Sequence, residues 1–275
     1  MKWLTRTLVR RFAHAARPYL QTQGLMRTSK VFSGSALTWE PGAERALVLA
    51  PHMDDETIGC GGAIAHHIKA GGAVHVVFLT DGRYGNSRLR ELSGAARQAE
   101  EARTVTLRKE EARRALDKLG VHSVTFFDVE DGHLQDDPAV SGRLRQLLQQ
   151  QLPELVYVPC FLEQHPDHYA ASRILVEATR GTQLSFQCLA YEVWTPLFPN
   201  CLVRIDDVID LKKSALQEYR SQLADADYLH TALSLNAYRS AGFADHYGRY
   251  AEAYSSMPLA DYQQIFDAYR QSAGA

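Results

Sequence analysis

Short apolar runs alternate with amphipathic stretches along most of this chain. Residues 44–51 enclose Ala-Leu-Val-Leu-Ala, a run suited to a buried strand. Glycines at 59, 61 and 62 follow it and lead into a helical stretch over 63–70, closed by Gly71 and Gly72. Residues 74–79 predict a second strand. Ala112, Ala115, Leu116 and Leu119 stand at i, i+3, i+4 and i+7 and predict a helix that Gly120 would cap. The alternation continues with a strand over 124–129, a helix marked by Leu144, Leu147 and Leu148, a strand over 155–158 and a helix over 168–179. Two further strand candidates lie at 186–194 and 201–205, and residues 211–269 read as mainly helical. Residues 83–106 carry many charges with little periodicity and read as a long loop, either a lid or an irregular surface.

Strands alternating with helices imply βαβ units. The expected fold class is α/β: a Rossmann-like three-layer domain with a mostly parallel sheet and a helical C-terminal extension. Ligands collect at the carboxyl ends of strands in such sheets. His52, Asp81, residues 128–131 and residues 165–168 each follow a different predicted strand, so they would converge on one crevice there.

Composition narrows the function classes. The 275 residues are 45% hydrophobic and 23% charged, which is ordinary for a globular protein, and the net charge of -2 gives no case for nucleic-acid binding. Four scattered cysteines without a C-x-x-C pair fit a reducing compartment. No apolar run approaches the roughly 18 residues of a membrane span, and no secretory signal is evident, so a cytoplasmic location is expected. Residues 1–39 form a separate basic segment, with seven Lys or Arg and no acidic residue before Glu40. Leu4, Leu8, Phe12 and Ala15 would share one face of a helix there. That helix either packs on its own domain or lies peripherally on the anionic inner membrane surface. Residues 40–275 are the expected catalytic domain.

The chemistry concentrates in two clusters. Pro51-His52-Met53-Asp54-Asp55-Glu56 follows an apolar strand, and ionisable groups packed so closely are costly without a partner. A metal ion is an economical one, since it binds imidazole nitrogen and carboxylate oxygen together. His165-Pro166-Asp167-His168 is a second donor cluster at another strand end. Two nitrogens, one carboxylate and an open position for water make a common catalytic zinc arrangement. The glycines at 59, 61 and 62 match neither a dinucleotide nor a Walker pattern and read as close helix packing. Cys60 reads as a small buried hydrophobe, and the scattered His66, His67, His75, His122 and His133 as structural.

These clusters resemble the P-H-P-D-D-E and H-P-D-H signatures of the LmbE-like, or PIG-L, zinc-dependent de-N-acetylases. The similarity extends over roughly residues 44–255. It implies that His52, Asp55 and His168 ligate Zn2+ (Fe2+ suits the same donors), that Asp54 is the general base, and that His165 stabilises the oxyanion or helps protonate the leaving amine. Asp167 would orient a histidine. The implied reaction removes the acetyl group from an N-acetylated amino sugar, small or lipid-linked. Met53 replaces the family's proline at a position that is not a ligand, and no tyrosine stands in Cys160-Phe161-Leu162-Glu163-Gln164, the stretch just before the second motif. Arg83, Asp131 and Glu192 are candidates for holding substrate, with Tyr84 beside them. Two other readings compete. A two-metal phosphoesterase would need bridging carboxylates that are not evident, and a non-catalytic sugar-binding relative would be expected to have lost Asp54.

Overall fold

A computed structural model describes residues 36–136, 139–243 and 248–273. Eight strands form one sheet: β1 (Leu37–Trp39), β2 (Arg45–Ala50), β3 (Ala73–Thr80), β4 (Ser123–Val129), β5 (Leu155–Pro159), β6 (Gln187–Tyr191), β7 (Cys201–Arg204) and β8 (Ala251–Pro258). Their order across the sheet is β1-β7-β8-β6-β5-β2-β3-β4. Strands β2 to β6 pair in parallel, while β8 runs antiparallel to both β6 and β7. Strand β2 has β3 on one side and β5 on the other, so the chain reverses its direction of travel across the sheet between β2 and β5. Loops leaving the carboxyl ends of two such strands diverge and open a crevice.

Alternation along the buried strands sorts side chains into two cores. Val48 and Val76 face helices α1 (Asp55–Lys69), α2 (Gly94–Leu119) and α5 (Ile209–Leu216), packing with Ile64, Leu116 and Ala215. Leu49 and Val77 face the opposite layer, α3 (Ala139–Gln151), α4 (Pro166–Thr179) and α8 (Leu259–Ala273), packing with Leu148, Ile174 and Phe266. Short α6 (Arg220–Leu223) and α7 (Tyr228–Ser240) complete the described helices.

Helix α1 lies unusually close to its neighbours, and glycine permits it. A Cβ on Gly59 would stand 2.2 Å from the Tyr191 ring, and one on Gly62 would stand 2.3 Å from Ile205. Close packing, not phosphate binding, accounts for these glycines. The approach is fixed by a buried ion pair, Lys212 Nζ to Glu252 Oε1 at 2.6 Å, in which both side chains are buried. Glu252 also accepts the backbone N–H groups of Gly62 and Ala63 at 2.7 and 2.8 Å, and Lys212 donates to the Ile58 carbonyl at 2.8 Å.

The stretch 211–269 is mainly helical, as expected, with β8 also running through it as an interior strand of the sheet. One expectation needs correction. The charged stretch 83–106 is not one long loop: residues 94–106 open the 26-residue helix α2, preceded by a short 3-10 turn, Ser87–Glu91. The first part of α2 is largely solvent-facing, so no apolar stripe announced it. The sheet itself begins at Leu37, which pairs with Cys201. The amphipathic pattern over residues 4–15 lies outside the described residues. No helix among those described is long and apolar enough to cross a membrane.

Removing one partner of a buried ion pair strands the other charge. Lys212→Met is expected to lower stability by about 3–5 kcal/mol, measured by chemical denaturation. A loss below 1 kcal/mol would mean that the pair does not hold α1 in place.

Candidate active site

The site forms where β2 and β5 end. After β2 the chain turns sharply, its Pro51 carbonyl held by the Thr80 hydroxyl at 2.8 Å. His52 follows, then Asp54 at φ 138°, a backbone conformation that costs a non-glycine residue free energy and tends to occur at functional sites. Asp54 stands at the N-cap of α1 yet makes no side-chain capping bond, so its carboxylate faces the crevice. After β5, residues 160–165 lead to α4, which starts with Pro166, a favoured first helical residue. His165 caps it, its Nδ1 accepting the Asp167 N–H at 3.3 Å.

The two turns bring three imidazoles together. Ring centroids of His52, His165 and His168 lie 4.7 to 5.5 Å apart. Asp55 Oδ2 sits 3.3 Å from His52 Nδ1 and 3.3 Å from His168 Nε2. Two donors on a tetrahedral ion with bonds of about 2.0–2.1 Å stand roughly 3.3 Å apart, so these two separations match edges of such a shell. Both ring nitrogens of His168 are buried without a hydrogen-bond partner among the described residues, which an imidazole tolerates poorly unless it binds a cation. The residues present therefore fit a divalent ion. His165 also offers a nitrogen within 4.8 Å of those on His52 and His168, and His52, Asp131 and Asp167 form a second buried donor group.

Carboxylates stand behind the two histidines. His52 Nε2 lies 3.1 Å from Asp131 and 3.3 Å from Asp167, which would hold the ring with Nδ1 toward the ion. Asp167 also accepts the backbone N–H groups of Gly132 and Leu134, tying the loop after β4 to the site. Behind His168 stands Glu163, its Oε2 3.8 Å from Nδ1. Glu163 meanwhile accepts the N–H groups of Val193, Trp194 and Thr195, so one carboxylate positions both His168 and the pocket wall at Trp194.

Charges here are strongly coupled. Burial pushes the Asp54 carboxyl up to about 8, although Arg108 opposes the rise. Burial would raise Asp55 as well, but His168 and His52 hold it well below the usual carboxylate range. Burial also acts against a protonated His52, yet contacts with Asp131, Asp167 and Asp55 lift it well above the ordinary value. Asp131 is likewise buried, and His52 brings it down to about 2. Burial and then the charges of His52 and His168 lower His165, which favours a neutral ring.

His52, Asp54, Asp55, Asp131 and His165 line one open pocket of about 330 Å3, with His168 and Asp167 fully buried beneath it. Two candidates for substrate contact lie elsewhere. Arg83 is bound to Asp81 at 2.6 and 2.8 Å and faces Glu130, outside the pocket lining. Glu192 is buried in a pair with Arg239 at 2.6 Å. The pocket instead holds Arg108, which sequence reasoning missed. Its guanidinium donates to the Met53 carbonyl at 2.7 Å and approaches Asp54 Oδ1 at 3.4 Å. Glu163, Trp194 and Tyr228 were missed too, since each is a single residue with no pattern of its own.

Comparison with known proteins agrees with this geometry. Residues 47–179 match the PIG-L family, described as GlcNAc-PI de-N-acetylase. The diacetylchitobiose deacetylase of Thermococcus kodakarensis is 28% identical over 201 residues, covering 66% of this chain and 71% of that protein. A 4-oxalmesaconate hydratase of Pseudomonas putida is 35% identical over 134 residues, 48% of this chain and 50% of its own length. The structure of N,N'-diacetylchitobiose deacetylase from Pyrococcus horikoshii superposes with a TM-score of 0.68 at 25% identity, covering 80% of this chain and 86% of that one.

Glu163→Gln is expected to weaken metal affinity about 10–100-fold, as loss of a carboxylate behind a ligating histidine typically does. Competition with a chromophoric chelator would measure it. An unchanged affinity in a normally folded variant would show that His168 does not depend on Glu163.

Proposed function

We propose that this chain, whose residues 47–179 match the PIG-L (LmbE-like) family, hydrolyses the acetamide of an N-acetylated amino sugar using one bound divalent cation, zinc. The observation that carries this reading is the trio His52 Nδ1, Asp55 Oδ2 and His168 Nε2, with two 3.3 Å separations beside the Asp54 carboxylate. By sequence, deacetylase relatives align over 65–70% of the chain and the hydratase over 48%, but a hydratase structure from Pseudomonas putida covers 78% of it, so the preference for amide cleavage over water addition rests on the site and not on coverage.

An ion in this shell supplies Lewis acidity toward a carbonyl and a water molecule. Burial raises the Asp54 carboxyl toward the pH range in which a general base works, and in its ionised form it accepts the proton of the attacking water. Arg108 holds the turn that carries Asp54 through the Met53 and Gly82 carbonyls and so fixes the base. As the water oxygen bonds to the acetyl carbon, negative charge grows on the carbonyl oxygen. His165 faces the pocket with Nδ1 already accepting a backbone N–H, so a neutral ring carries its proton on Nε2 and offers it there. The C–N bond then breaks, with the amine nitrogen receiving a proton from Asp54 or His165. The products are acetate and a free amino sugar. Iron(II) accepts the same donors and would support the same steps.

Acetate release from N-acetylhexosaminides tests the reading. Activity should require the metal and disappear on chelation. Asp54→Asn should retain the metal but lose about 10²–10⁴-fold in turnover, the range for a general base. Wild-type rates in Asp54→Asn would refute the mechanism, and hydration of an unsaturated dicarboxylate in place of acetate release would favour the hydratase reading.

A further inference from the structure

The pocket over the metal ligands does not end at the reacting centre. A second cavity of about 550 Å3 adjoins it, and the two share Tyr84, Gly85, Gln222 and Tyr228. Each volume falls within the range of small-ligand sites. The second cavity runs between the 3-10 turn Ser87–Glu91 and the α6–α7 turn, away from the ion-binding shell.

Its lining has an asymmetric supply of hydrogen-bonding groups. Asp225, the lone carboxylate of the lining, is occupied, because its two oxygens accept the Ser87 hydroxyl at 2.7 Å and the Ser87 N–H at 3.0 Å. Asn86 spends its amide on Glu100 and Thr104. Two arginines remain. Arg97 is anchored by Glu101 at 2.8 Å and by the Leu89 carbonyl at 3.3 Å, which sets it beside the turn bearing Arg90. Arg90 lines the cavity, and among the described residues its guanidinium has no ion pair or hydrogen bond. A free guanidinium offers a planar fork that matches a carboxylate or phosphate. On the side nearer the metal ligands, Trp194 and Tyr228 lie with ring centroids 5.1 Å apart and flank the shared mouth.

We propose that this second cavity binds the group joined to the acetylated sugar, and that this group is a hydroxylated unit bearing an anionic substituent, which Arg90 holds. The proposal rests on the deacetylase reading of the metal pocket for the identity of the first unit. It adds what lies next to that unit and which residue selects it. Arg97, Gln222 and Tyr228 supply the polar wall for its hydroxyls, and Arg90 supplies the charge match. Simple N-acetylhexosamines would fill the metal pocket alone and leave Arg90 without a partner.

Calorimetric titration with three unreactive probes separates the terms: glucosamine, neutral chitobiose, and a disaccharide of glucosamine linked to glucuronic acid. The acidic disaccharide should bind at least about 10-fold tighter than either neutral probe, the scale of one charge-assisted bidentate contact. Arg90→Ala should reduce its affinity to that of chitobiose. Equal affinity of acidic and neutral disaccharides, or an unchanged preference in Arg90→Ala, would overturn the proposal. Because these probes carry no acetyl group, the result is independent of turnover. Preferential binding of the acidic probe by a protein that releases no acetate from its N-acetyl form would sustain the cavity assignment and refute the deacetylase reading.

Discussion

Burying Asp54, Asp55, Asp131, Glu163 and Asp167 around His52 and His168 costs free energy that backbone hydrogen bonds offset in part and compensating positive charge must complete. Arg108 is the one arginine in the pocket lining, and its hydrogen bonds go mainly to the backbone carbonyls of Met53 and Gly82. The rest of the balance falls to protons on the imidazoles or to a divalent cation. An ion satisfies the donors better, since it uses both Asp55 and the otherwise unpartnered His168 and leaves Asp131 and Asp167 to orient His52. The same desolvation that makes the cluster expensive raises the Asp54 carboxyl, the group proposed as the base.

The fold assembles this cluster from parts distant in sequence. The reversal of strand order between β2 and β5 places the turn at His52 beside the turn at His165. Helix α1 must then lie close enough to carry Asp55 into the crevice. Gly59 and Gly62 allow the approach against Tyr191 and Ile205, and the buried Lys212–Glu252 pair fixes it from the far side. Tyr219 adds another clamp by donating to Glu56 at 2.5 Å, while Glu56 accepts the Asp54 N–H at 3.1 Å. Packing in the C-terminal third of the chain thus reaches the reacting groups through α1.

Much of this was legible in the residues alone. Apolar runs located β2 to β6, and the two clusters of donors located the site because such groups at strand ends have few structural uses. What stayed hidden had a common cause: burial of polar residues whose partners lie far along the chain. Strand β8 reads Ala-Glu-Ala-Tyr-Ser-Ser-Met-Pro, with no apolar run, because Glu252 is buried against Lys212 and Ser255 against the Phe198 carbonyl. Arg108 looks like any charged helical residue until the Met53 carbonyl is found above it. Glu163 stands two residues before His165, yet its partners are the N–H groups of residues 193–195. Arg83 and Glu192 err in the other direction. Each carries the right chemistry, but a neighbouring ion pair already uses it.

The central claim is that His52, Asp55 and His168 share one ion. Metal analysis by mass spectrometry, combined with X-ray absorption at the zinc edge, addresses it directly. The account predicts about one ion per chain, bound through two imidazole nitrogens and one carboxylate oxygen, and lost in His168→Ala. Full loading of His168→Ala, or a spectrum without imidazole, would contradict it.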